Sequence, residues 1–219
     1  LTLCVGAFPV DAGEPAKEKA FSEVAASRVV EKPSVQGDEE GWLFLVRELR
    51  HLSMGRFWEK PWDEVAANAT DPVPSMIESN ALLEERGIQL IPAPVPAKGR
   101  LYPEKLDGSF SPVIPDRSLP FIELLRARGL TVIDLDRHFR IERVNGDLTK
   151  WYCAQDAHYS LQAIEALAGL VAEESEIESP KDSSMSLSAE ILSLTGDHVV
   201  GSEWEGRLAG EELNLRAVL

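Results

Sequence analysis

Residues 119–135 read LPFIELLRARGLTVIDL. An amphipathic run ends on Gly129, and six mostly apolar residues, Leu130–Leu135, follow without a break. A helix closed by glycine and succeeded by a short apolar strand is the simplest reading. The same order occurs earlier, where SMIESNALLEERG (75–87) leads into IQLIPAPV (88–95). Helix, glycine and apolar strand, given twice, predict an α/β chain whose parallel sheet is covered by helices.

Outward from this unit, EPAKEKAFSEVAASRVVEK (14–32) reads as a helix with Phe21, Val24 and Val29 on one face, stopped by Pro33. GWLFLV (41–46) follows the acidic turn GDEE and suits either a strand buried on both sides or the first turn of a buried helix. Pro61, Pro72 and Pro74 interrupt the next region, and a long polar loop runs from Val95 to Ser118. A third helix is expected from Leu161, with Ser160 as N-cap and Leu161, Ile164, Leu167, Leu170 and Val171 turned toward the sheet. ESEIESPKDSSMS (174–186) reads as a surface loop, and LNLRAVL (213–219) as a strand.

At 219 residues and 24.1 kDa the chain can bury one sizeable core. The expected division is an N-terminal segment, 1–36, and one domain over 37–219. The net charge is -15, and residues 173–219 alone carry eleven acids against three bases. That balance speaks against nucleic acid as a partner, since phosphate-backbone binding needs clustered Lys and Arg. The opening LTLCVGAFPVDAGEPA resembles the trailing part of a secretory signal, with Ala7 or Ala12 near a cleavage point; the alternative is a frayed apolar terminus. The former predicts a periplasmic or otherwise extracytoplasmic protein, with membrane association open. No apolar stretch reaches the ~20 residues that span a bilayer. Cys4 and Cys153 define neither a disulfide framework nor a zinc site.

Four histidines limit proton chemistry near neutral pH, and the best placed lies in CAQDAHYSLQAIEALAGL (153–170). If residues 154–158 are extended, Asp156 and His158 point to one side, because i and i+2 share a face. The carboxylate could then fix the imidazole tautomer and stabilise its protonated form. Taken alone, such a pair is more often surface polar structure or a helix cap than a site. His51 reads as a surface histidine, His138 as a packed loop residue and His198, in TGDHVV, as an exposed turn residue. No HxH or HxxxH spacing supports a metal, and no cofactor is expected. Lys98, Arg100 and Tyr102 form a basic, aromatic loop after a strand and are candidates to contact an anionic or hydroxyl-rich substrate. Trp151 and Tyr152 could offer a stacking face for a sugar ring beside the Asp–His pair, although aromatics there are at least as often packing residues. Neither a Gly-x-Ser-x-Gly nor a Gly-Asp-Ser turn occurs in the 219 residues, and Ser202 in VVGSEW is a poor elbow.

Four segments in order resemble the alginate O-acetyltransferase-like (AlgX/AlgJ-type) branch of the SGNH hydrolases: EEGWLFLVRELRHL, RGIQLIPAPVPAKGRLYPEKL, LPFIELLRARGLTVIDLDRHF and WYCAQDAHYSLQAIEALA. The likeness covers about residues 37–172. It implies a three-layer, flavodoxin-like α/β fold and a Ser-His-Asp triad in which His158 is the general base and Asp156 its orienting acid. A serine would carry the acetyl group to a polysaccharide hydroxyl or to water, and a membrane-bound O-acyltransferase would deliver the acetyl donor. Tyr159 stands where the family usually has Trp, which the resemblance makes a candidate sugar-facing position, and Gln162–Ala163 where it has glycine. The family's Gly-Asp-Ser segment would follow Leu219, so the expectation is a C-terminally truncated member, inactive as it stands. The alternatives are a non-catalytic polysaccharide-binding or assembly protein of the same fold, and a metal-dependent hydrolase using His138, Asp156 and His158.

Overall fold

The Leu130–Leu135 segment lies between two apolar layers. Leu130 and Val132 pack with Val73, Ile122 and Leu125, whereas Ile133 and Leu135 join the main core with Leu101, Phe139 and Trp151. Residues 130–134 join no ladder and Leu135 already opens a helix, so the expected strand over Leu130–Leu135 is instead a short segment buried between two apolar clusters.

The computed structural model of the chain describes residues 14–54, 72–112, 118–144, 150–175 and 187–218. The apolar start with Cys4, the Pro61 break and most of the 174–186 loop lie outside these residues. In chain order the elements that position the site are α1 (Glu14–Ser27), β1 (Ser34–Gln36), β2 (Leu43–Leu45) and α2 (Val46–Ser53). Then come α3 (Val73–Glu84), the single turns α4 (Lys98–Leu101) and α5 (Pro103–Leu106), α6 (Leu119–Ala127) and α7 (Leu135–Val144). The chain continues with α8 (Leu161–Glu174), β3 (Leu187–Leu194) and β4 (Glu211–Val218).

The helix stops follow the glycines. After α3 and α6 the Ile88 and Leu130 N–H groups reach back five residues, to Leu83 O and Leu125 O at 3.0 and 3.2 Å. Gly87 and Gly129 sit between at φ +68° and +88°, which is the closing geometry glycine adopts without strain.

The expected strand over 88–95 departs from a regular ladder. Pro92, Pro94 and Pro96 fall at alternate positions, so an extended chain there would have no donors along one edge. Their carbonyls remain usable: Ile133 N–H donates to Pro92 O at 3.0 Å, and the Tyr152 hydroxyl donates to Pro96 O at 2.7 Å. The regular ladders among the described residues are antiparallel instead. β1 pairs with β2 from Ser34↔Leu45 to Gln36↔Leu43, and β3 with β4 from Leu187↔Val218 to Leu194↔Glu211. GWLFLV does both things its sequence allowed, since β2 gives way to α2 at Val46.

Phe21 and Ala25 bring α1 into the main core, and Phe139 stacks on Trp151 with centroids 4.4 Å apart. In α8, Ala163 is the buried position and Leu167 and Leu170 pack beside it, while Ile164 is 49% exposed. The inward face is thus rotated from the expected one, which corrects Ile164.

Candidate functional site: the Asp156–His158 turn

Residues 151–160 form a narrow loop. Ser160 N–H donates to Trp151 O at 3.0 Å, Cys153 N–H to His158 O at 3.3 Å, and Tyr152 bridges Tyr159 antiparallel. Asp156 and His158 stand at its tip. They meet through a turn, not through the strand alternation expected from their spacing. Asp156 Oδ1 accepts the His158 backbone N–H at 2.9 Å, as aspartates do two residues ahead of themselves, and the same oxygen accepts His158 Nδ1–H at 2.5 Å. With Nδ1 committed as donor, Nε2 is the free ring nitrogen, on a side chain that is 80% exposed.

The tip is gripped from three sides. Below it, the Lys98 ammonium donates to Leu43 O and Ala154 O, each at 2.7 Å, and to Asp156 O at 3.0 Å. Its three protons are thereby used, and the rings of Trp42 and Phe44 lie 5.5 and 5.4 Å away. From β4, Glu211 Oε2 accepts the N–H groups of Ala154 and Gln155 at 2.6 and 3.2 Å. From the turn after β3, His198 N–H donates to Gln155 O at 3.2 Å, and Asp197 N–H donates to Asp156 Oδ2 at 3.1 Å. Gly196 packs so closely on the Gln155 carbonyl that a Cβ there would collide with it.

The electrostatics follow from these contacts. The Asp156 hydrogen bond and charge raise the His158 imidazole above its ordinary value. Burial pushes the Asp156 carboxyl up, but the N–H donors of His158 and Asp197, together with the imidazole, outweigh it and leave the carboxyl lowered. The two shifts agree in sense, each partner favouring the charged form of the other. Burial brings Lys98 down to about 8 and pushes the Cys153 thiol up to about 11.

Several expectations change. Lys98 is 1% exposed and Arg100 is buried with its guanidinium 5.8 Å from the Phe21 ring, so neither is presented to solvent as a substrate contact. Tyr102 is buried, its hydroxyl accepting Trp151 N–H at 2.7 Å with Arg143 over its ring at 4.0 Å. Trp151 is core, not a sugar platform. Tyr159, partly buried beside the pair, is the one sequence-predicted contact left near the surface. His198 is 6% exposed, not the exposed turn residue expected, because its backbone is tied to Gln155. His138 packs 6.0 Å from the Trp151 ring and takes no part. Asp197 and Glu211 had no signal in the sequence beyond being acids in a polar region.

Asp156, His158 and Asp197 offer donor atoms within 4.8 Å of one another. Their oxygens already accept N–H groups from His158, Asp197 and Ala157, and an exposed acidic cluster of this kind carries no metal assignment. Among the described residues His158 has no serine partner; the Ser202 hydroxyl donates to Val199 O at 2.8 Å. No described helix is long and apolar enough to cross a membrane.

The Asp–His turn ahead of a helix fits an SGNH-hydrolase-like α/β domain, and the family match shows that class. Residues 35–190 match the family model described as an SGNH hydrolase-like domain, acetyltransferase AlgX, and the chain belongs to that family. It is 30% identical over 139 residues to the "Probable alginate O-acetylase AlgJ" of Pseudomonas aeruginosa, covering 63% of this chain and 32% of that protein. Among solved structures it resembles the O-acetyltransferase domain of Pseudomonas putida AlgJ, with TM-score 0.61, 19% identity, and coverage of 85% of this chain and 65% of that one. Bacillus cereus PatB1 is similar at TM-score 0.51 and 16% identity, with 84% and 59% covered. The chain thus spans about a third of its curated relative's length.

Proposed function

We propose that this domain supplies the acid–base half of an acetyl-transfer site acting on polysaccharide hydroxyls. The carrying observation is the Asp156–His158 pair, with Nδ1 held by a carboxylate and Nε2 free on an exposed ring. That is the arrangement a general base requires: one nitrogen fixed by an acid, the other open to take a proton. A serine hydroxyl brought to Nε2 would lose its proton to His158 as its oxygen attacks the acetyl carbonyl. The donor's oxygen would leave with that proton, and the acetyl-serine would pass its acyl group to a sugar hydroxyl or to water. Asp156 stabilises the imidazolium formed in each half. The likeness to a probable alginate O-acetylase supports a polysaccharide acceptor; an extracytoplasmic setting and an acetyl donor delivered by a membrane-bound O-acyltransferase are part of the same proposal.

The test is turnover of an activated acetyl ester, and transfer to polysaccharide, by the full-length protein. A His158→Ala variant should lower both by roughly 100-fold or more. Unchanged turnover in that variant would remove His158 from the chemistry and leave a non-catalytic polysaccharide-binding protein as the better account.

A further inference from the structure

We propose that Asp197 is a positioning residue for His158: its carboxylate pins the turn that carries the imidazole and sets a second acidic oxygen 3.9 Å from Nδ1. The inference rests on the acid–base reading of the pair and adds a third residue to it.

The two turns are joined reciprocally. Asp197 gives its backbone N–H to Asp156 Oδ2 at 3.1 Å, and its own Oδ1 accepts the N–H of Ala157, the residue between Asp156 and His158, also at 3.1 Å. Each aspartate therefore fixes the backbone that presents the other. The neighbouring contacts, His198 N–H to Gln155 O and Gly196 against the same carbonyl, brace the 196–198 turn against the loop that carries the pair.

Asp156 and Asp197 face the His158 ring directly, while the Lys98 ammonium is turned to the Asp156 carbonyl behind the turn. His198 Nδ1 lies 3.7 Å from Asp197 Oδ1, and burial lowers its imidazole, which disfavours its charged form beside Asp197. The imidazolium is thereby attracted by two carboxylates. The outer one acts across a solvated gap, which makes its effect smaller than that of Asp156.

Asp197→Asn tests this in the full-length protein, because the amide retains an oxygen for Ala157 N–H and the backbone N–H for Asp156. The readout is the His158 titration by NMR with ring-labelled histidine. Its midpoint should fall by a few tenths of a pH unit, the size expected of an exposed pair. The acid limb of acetyl-ester turnover should move down with it, and the thermal midpoint should match wild type. A His158 midpoint unchanged in Asp197→Asn overturns the proposal. The titration needs no turnover, so it stands apart from the acetyl-transfer reading, which fails instead on an active His158→Ala.

Discussion

The Lys98 ammonium donates to the carbonyl oxygen of Asp156 at 3.0 Å, placing a buried charge directly behind the residue that orients His158. The lysine also holds Leu43 O and Ala154 O, so it joins β2 to the loop that carries the pair. Such a cation is costly to bury, and it is compensated by three carbonyls, of which Ala154 O also accepts Leu43 N–H at 2.9 Å.

Lys98→Met keeps the apolar stem and removes the ammonium. Losing three charge-assisted hydrogen bonds, offset in part by relief of the cation's desolvation, should destabilise the domain by about 2 kcal/mol. A lower urea midpoint would record it. An unchanged midpoint would show that the carbonyls find water instead.

On the proposed reading, the Asp156–His158 pair sets a pH dependence. A general base works when neutral, so the rate falls as pH drops through its pKa. Because Asp156, with Asp197 behind it, favours the imidazolium, the acid limb should lie above the unperturbed histidine value of ~6.5. Asp156→Asn should bring that limb down and reduce kcat by roughly 100-fold or more. An acid limb that stays put in Asp156→Asn would mean another group titrates.

Cys153 lies three positions before Asp156 and is buried, with desolvation first among the causes that push its thiol up to about 11. At pH 8 the native protein should therefore resist iodoacetamide at this thiol, and unfolding in urea should release it for rapid alkylation. Fast labelling of native Cys153 would show that the loop opens.

The helices and their stops were legible because they rest on local chemistry: Gly87 and Gly129 lie where the chain must turn, and Ser160 accepts Ala163 N–H at the start of α8. The Asp156–His158 pair was legible for the same reason. The contacts that hold it were not. Lys98 lies 58 residues from Asp156, and Asp197 lies 41. A lysine in a Pro-Ala-Lys-Gly-Arg stretch looks like a solvated loop until its neighbours are folded around it. The 88–95 strand misled in the opposite way: its apolar pattern was right, and its alternating prolines removed the donors that a ladder needs.

The most direct test of the central claim is mass spectrometry of the full-length protein after exposure to an activated acetyl ester. The account predicts one acetyl group on a serine of the wild-type protein and none in His158→Ala. Acetylation of the same serine at the same rate in both would contradict it, because that serine would not depend on His158 for its activation.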